Sequence, residues 1–324
     1  MADEGKTMTK GKAPGKSHRE GISLMQLADM FPDEQAAVAW FEAIRWPNGR
    51  HCPHCGGTET REVPNAKPMP YWCGACRSYF SVRTGTTIQN SRLPLRKWAF
   101  AVYLYVTNLK GVSSMKLHRD LKVTQKTAWF MLHRLRESWG SAGLDSFAGP
   151  VEADETYIGG QRKNMPKAKR KTYGGSRGPV GKAAVAGVKD RATNKVEAKP
   201  VTETDARTLQ RFIVERAAPG ATVYTDDNAA YRGLPFDHET VNHSAGEYVR
   251  GQAHTQGIES FWAMLKRAHK GTFHHFSEKH LARYVTEFAG RHNVRDADTA
   301  DQMQDVVAGM VGKRLMYREL VADT

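Results

Sequence analysis

The chain's four cysteines fall in two pairs, Cys52-Pro-His-Cys55 and Cys73-Gly-Ala-Cys76, with 17 residues between the pairs. Two C-x2-C knuckles at that distance have the spacing of a zinc ribbon. Each knuckle lets two thiolates grip one tetrahedral ion at about 2.3 Å. All four cysteines are then engaged and no ligand position stays open, so the expected Zn²⁺ is structural. Using every cysteine this way suits a reducing compartment. The alternatives are two disulfides, or His54 replacing one cysteine as a ligand. Tyr71, Trp72, Arg77, Tyr79, Arg83 and Lys97 surround the motif. That aromatic and basic mixture suits DNA contact, although Trp72 and Tyr79 fit equally well as the ribbon's small core.

A second group of chemically capable residues is acidic. VEADETYIGG, Val151 to Gly160, carries Glu152, Asp154 and Glu155 in a chain of formal net charge +14. Carboxylates packed together repel, so either this is a solvated acidic turn or the acids hold a cation. The elements around them favour the cation. Val151 to Ile158 reads as a strand that puts Glu152 and Asp154 on one face. GKAAVAGVKD and KVEAKPV read as second and third strands. Thr204 to Ala217 has helical periodicity, and Pro219-Gly220 ends it. A fourth strand, ATVYTDD, closes on Asp226-Asp227. The order is βββαβ, with Asp154 in the first strand and Asp226 or Asp227 ending the fourth. In HTQGIESFWAMLKR, 254–267, Glu259 and Lys266 are seven residues apart, two helical turns, and project from nearly the same side. Three carboxylates of this kind can hold two Mg²⁺ ions about 3.5–4 Å apart for phosphodiester chemistry. The lysine can bind a phosphate near the cut.

Charge and organisation agree with a nucleic-acid partner. Lys and Arg number 48 against 34 Asp and Glu. The resulting pI near 9.6 favours a polyanion, DNA or RNA first and an anionic membrane surface second. The longest apolar run, Trp98 to Val106, is too short for the roughly 20 residues of a membrane span. Residues 1–20 are rich in Lys and Gly without an apolar stretch, which predicts a disordered basic tail and no secretory signal. A cytoplasmic, nucleoid-associated protein is expected. Residues 21–90 comprise two short helices parted at Pro32-Asp33, then the ribbon, and 91–148 form a helical domain. The βββαβ unit and the helices after it span 149–295, and 296–324 is a helical tail.

Within the helical domain, Ser113 or Ser114 and Thr124 can cap two successive helices. The second carries Gln125, Lys126, Arg134 and Arg136, as a DNA-reading helix-turn-helix would, or as a plain helical hairpin could. Between the first and second strands, 161–182 holds eight Lys and Arg and no acid. Lys163, Lys167, Lys169, Arg170 and Lys171 there can grip DNA phosphates. Arg291, His292 and Arg295 serve either as phosphate contacts or as structural hydrogen bonds.

The motifs CPHCG, CGACRSYFSVRTGT, VEADETYIGG, YTDDNAAY, VNHS, HTQGIESFWAMLKR and HLARYVTEFAGRHNVRD occur in this order across roughly residues 25–300. In that combination the chain resembles the DDE transposases of bacterial insertion sequences, the ISXO-type group with an N-terminal zinc ribbon. The resemblance implies an α/β, ribonuclease-H-like catalytic core, a mixed sheet flanked by helices. It carries the catalytic acids onto Asp154, Asp226 and Glu259, with Lys266 beside them, and implies two catalytic Mg²⁺ or Mn²⁺ ions. The family's T-D-x4-Y pattern selects Asp226 over Asp227, because Tyr231 follows Asp226 by five. Relatives often carry Asn where this chain has Gln256. The implied partners are the element's terminal inverted repeats and target DNA, with at least a dimer in the synaptic complex. The alternative is a domesticated or inactive copy acting as a DNA-binding regulator.

Overall fold

The computed structural model describes residues 19–140, 145–160, 164–172, 180–241 and 254–322, the side chains at 169 and 172 excepted. Most of the expected basic tail, Lys163, the side chain of Lys169 and all of VNHS after Val241 lie outside the described residues.

The chain opens with α1 (Leu24–Met30) and α2 (Glu34–Arg45). Both starts are written in the sequence. Ser23 and Gln26 cap α1 reciprocally, and the Asp33 carboxylate accepts from the Ala36 N–H to start α2. Three short strands follow, β1 (Thr60–Glu62), β2 (Tyr71–Cys73) and β3 (Ser78–Phe80), paired as an antiparallel sheet in that order. Next come α3 (Leu95–Thr107), α4 (Ser114–Leu121) and α5 (Gln125–Arg136). Ser113 and Thr124 cap α4 and α5, and Lys122 takes the left-handed conformation that ends α4. The tail helix α10 (Thr299–Ala308) folds back onto α2 and α3. One buried cluster therefore runs from Leu27 and Phe41 through Phe80 and Trp98 to Leu132, and takes in Met303 and Val306.

The second half is built on a five-stranded mixed sheet: β4 (Val151–Ile158), β5 (Ala183–Asp190), β6 (Val196–Val201), β7 (Thr222–Asp226) and β8 (Asp237–Val241). The spatial order is β6-β5-β4-β7-β8. β4 and β6 pair antiparallel with β5, while β7 runs parallel to β4 and β8. This is the expected mixed sheet flanked by helices. Alternation along β4 sends Val151 and Ala153 to the face covered by α7 (Ala206–Val214), packed with Leu209 and Phe212. The other face carries α8 (Gln256–Ala268) and α9 (Glu278–Asn293), whose Ile258, Leu265 and Val285 pack on Val185. The strand β8 was not among the expected elements. Its residues, Asp-His-Glu-Thr-Val, bury only Val241 and give little apolar alternation to read. The short helices α6 (Lys167–Thr172) and α11 (Tyr317–Val321) also had no clear periodic signal.

The halves meet across a buried ionic triad. Arg136 Nε lies 2.7 Å from Glu287 Oε2, and Arg291 Nε lies 2.9 Å from Glu287 Oε1. The Glu287 side chain is 0% exposed and that of Arg136 is 1%. Arg136 also stacks on the Tyr284 ring and Arg291 on that of Tyr105. Arg291 thus has a structural role, as do His292, whose Nε2 meets the Asn194 carbonyl, and Arg295, which donates to the same carbonyl. Glu287→Ala leaves two guanidinium groups buried without their counter-charge. We expect it to cost about 3–5 kcal/mol, read as a lower urea midpoint; an unchanged midpoint would show that the triad adds nothing.

Candidate metal centres and active site

The two knuckles converge. Cys52 Sγ lies 3.6 Å from Cys76 Sγ, Cys55 Sγ lies 3.7 Å from Cys73 Sγ, and all four sulfurs fall within 4.8 Å of one another. A disulfide would hold its sulfurs at about 2.05 Å. Four thiolates at about 2.3 Å from a zinc ion would be about 3.8 Å apart, so the donor set fits tetrahedral zinc. His54 is not in the cluster; its backbone N–H donates to Cys52 Sγ. The ribbon's core is Trp46 against Tyr71 and Phe80. Trp72 and Tyr79 are register partners with rings 4.5 Å apart, and Tyr79 is exposed, so this pair forms the ribbon's outer face.

Each acid of VEADET has its own surroundings. Glu152 is buried on the α8 side of the sheet. Its carboxylate accepts from the Ile258 backbone N–H at 2.8 Å and pairs with Arg191 at 2.7 Å. Thr255 directs its hydroxyl to the Glu259 carboxylate and does not cap a backbone N–H of α8. Glu152 therefore satisfies a free N–H of that helix from another element, with its charge at the positive end of the dipole. A side chain at Gly257 would come within 2.7 Å of this carboxylate, so α8 begins hard against it. Glu155 points to the opposite face. It accepts from Asn228 Nδ2 at 2.8 Å and from the Tyr231 hydroxyl, which fastens the turn after β7.

Asp154 sits between these anchors. Pairing of β4 with β7 matches Val151 to Val223 and Glu152 to Tyr224. Continued two residues, that register sets Asp154 level with Asp226, the last residue of β7. Burial, followed by the charges of Glu155 and Asp226, pushes the Asp154 carboxyl up to about 8. Its Oδ1 accepts from the Glu155 backbone N–H, and its Oδ2 accepts from Trp262 Nε1 at 3.0 Å. Asp226 Oδ1 accepts from the Asn228 N–H, while Asp227 is exposed.

On α8, Glu259, Trp262 and Lys266 follow one another at i, i+3 and i+7, on one side of the helix. Burial holds Lys266 below the ordinary lysine range, and the charge of Asp154 pulls the other way. Glu259 is exposed and accepts from Thr255 Oγ1 at 3.1 Å. With Asp154 and Asp226 it does not form a group whose carboxylate oxygens all lie within 4.8 Å of one another. Among the described residues, the cysteines are the one group of three or more such ligands within 4.8 Å. Asp154 is thus level with Asp226 and its charge reaches Lys266, while Glu259 lies one turn before Trp262. Sequence reasoning missed the roles of Glu152, Glu155 and Trp262. The alternation that pairs Glu152 with Asp154 on one face was the available signal for the first.

The expected DNA-contacting residues are placed unequally. Arg134 is buried at 9% exposure, donates to the Gln89 carbonyl and lies over the Phe130 ring, so it faces protein and not a groove. The Lys126 ammonium sits 4.6 Å over the Tyr317 ring of α11. Gln125 donates to Ser114 Oγ across the two helices. Lys167 and Lys171 are exposed on α6, with Arg170 between them half-buried.

Two comparisons with known proteins bear on this arrangement. Residues 146–293 match the ISXO2-like transposase domain, and residues 32–79 match the transposase zinc-ribbon domain. A Halobacterium salinarum protein described as "Uncharacterized protein in transposable element ISH50" is 31% identical over 281 residues, 82% of this chain and 92% of that protein. A cysteine ribbon joined to a mixed-sheet domain with these matches defines the class of DDE-domain transposases. Within it, the chain belongs to the IS1595-type, ISXO2-like family of insertion-sequence transposases. Among the described residues, no helix is long and apolar enough to cross a membrane.

Proposed function

We propose that this chain cuts DNA at the ends of its own insertion sequence and joins the freed ends to target DNA. The observation that carries the reading is the placing of Asp154 and Asp226 level on neighbouring strands, with Lys266 within reach of the Asp154 charge. The strand order, counted within the sheet as 3-2-1-4-5, is read as a ribonuclease-H-like catalytic core. Crowded, partly buried carboxylates are hard oxygen donors whose mutual repulsion a divalent cation would relieve. Asp154 and Asp226 would hold Mg²⁺ or Mn²⁺, with Glu259 turning in to complete the set. Such ions would stabilise charge on the attacking and leaving oxygens. Lys266 binds the phosphate beside the cut.

Hydrolysis breaks one phosphodiester bond at each element end and leaves a 3′-OH. That hydroxyl attacks a target phosphodiester, forming one P–O bond as another breaks, without a covalent protein–DNA intermediate. Bringing two ends together requires at least two copies of the chain. The ribbon and the α4–α5 pair bind the terminal repeats, and α6 holds the backbone. Lys110, Arg267 and Arg295 line a cavity of about 290 Å³ with no carboxylate in its walls among the described residues, which also suits a polyanion.

The test is to incubate purified protein with labelled DNA carrying the ends that flank its gene, plus a target plasmid, in Mg²⁺ or Mn²⁺. End-specific cutting and joined product, both lost in Glu259→Gln, are expected. Binding without cutting in either metal would favour the regulator reading.

A further inference from the structure

We infer that Trp262, seated in a cradle made by Gly187, is a positioning residue that fixes the orientation of the Asp154 carboxylate. The inference rests on Asp154 acting as proposed above. Trp262 is 3% exposed and directs its only polar atom at Asp154 Oδ2, 3.0 Å away. The other oxygen, Oδ1, takes the Glu155 backbone N–H at 2.8 Å. Both oxygens are thereby held, and each keeps a lone pair for a cation. The donors matter by type. An arginine or lysine at position 262 would neutralise the charge that a metal needs. An indole N–H fixes direction and leaves the full negative charge in place.

The opposite strand is shaped for this ring. Gly187 is the register partner of Asp154 on β5, so both face α8. A Cβ at Gly187 would lie 2.6 Å from Trp262 Cη2 and Cζ2, inside any tolerable contact. The same Cβ would lie 3.1 Å from Ile258 Cδ1, so side chains of α8 fill the space over Gly187. Gly187 is therefore required by the indole, and the indole by the carboxylate.

Mn²⁺ binding by electron paramagnetic resonance, with and without end DNA, tests this alongside cleavage. Trp262→Phe removes the N–H and keeps an aromatic ring. Its apparent Mn²⁺ affinity should fall about 10- to 100-fold, with end binding unchanged and cleavage partly recovered at high Mn²⁺. Gly187→Ala should show the same metal defect by displacing the ring. In the Trp262→Phe background, Gly187→Ala should add little, because phenylalanine lacks the two clashing atoms; such non-additivity marks one shared interaction. Wild-type Mn²⁺ affinity in folded Trp262→Phe or Gly187→Ala would overturn the inference. If Asp154→Asn also binds Mn²⁺ and cuts normally, the active-site reading itself fails. Loss of Mn²⁺ binding in Asp154→Asn alone would sink only the role of Trp262.

Discussion

Asp154→Asn is expected to reduce end cleavage and joining by roughly 10³-fold or more, while end binding stays at the wild-type level. The substitution preserves shape and removes one charge at the place where β4 and β7 bring two aspartates level. The fold should survive it. The carboxylate of Asp154 costs stability in the metal-free protein, since burial and the charges of Glu155 and Asp226 all disfavour ionisation. Its folded-state pKa is raised, so its favourable contribution is present below the unfolded value near 4 and is lost as pH rises through about 8. Asn has no such loss. It gives up one acceptor, to the Glu155 N–H or to Trp262, worth about 1 kcal/mol. In chelator-treated buffer, the melting temperature of Asp154→Asn relative to wild type should therefore climb between pH 5 and pH 8. A difference that stays flat across that range would mean that Asp154 does not feel its neighbours, and the crowded-carboxylate account of the site would be withdrawn.

What could be read in the sequence was whatever depends on spacing along one element. The cysteine knuckles are local, and so are the seven-residue step from Glu259 to Lys266 and the alternation of Glu152 with Asp154. Partners in space were less legible. Nothing near Glu152 announces that it will hold the start of α8, 106 residues away. Nor does HRLRES reveal that Arg136 will find Glu287, 151 residues on. Arg134 shows the complementary error. Charge on a second helix suggests a reading surface, but the last turn of α5 is packed between the Gln89 segment and α9, and its cations face inward to carbonyls, rings and Glu287. Tyr71 and Tyr79 behaved oppositely for the same reason. Both are ribbon aromatics, and the pleat alone sends one into the core and the other outward. The acidic stretch was legible as a site because three like charges in a basic chain are costly. It could not show that Glu152 would hold the start of α8 and Glu155 the turn after β7, leaving Asp154 level with Asp226, because that depends on where α8 and the β7 turn dock.

Removing zinc is expected to unfold the ribbon and abolish end recognition while the five-stranded sheet stays protected. The ribbon has little else to hold it. Its strands are three residues each, too short to stand as a free sheet. Structural zinc contributes about 10–16 kcal/mol in small zinc-dependent folds, against a whole-domain stability of about 5–15 kcal/mol, so the ribbon should not persist without it. Its loss should also be felt beyond the ribbon. Cys73 is 0% exposed within the cluster that continues to Trp98 and Leu135, and the Tyr71 hydroxyl donates to Glu42 of α2 at 2.6 Å. Hydrogen exchange after treatment with a zinc chelator, or in Cys73→Ser, should show lost protection at Tyr71–Cys73 and Ser78–Phe80, with Ala183–Asp190 unchanged. Unaltered exchange in the ribbon would remove zinc from the account. Loss that spreads through α3 yet stops at the sheet would place the edge of the zinc-dependent unit at the Arg136–Glu287 junction, where the buried cluster ends and the ionic contact takes over.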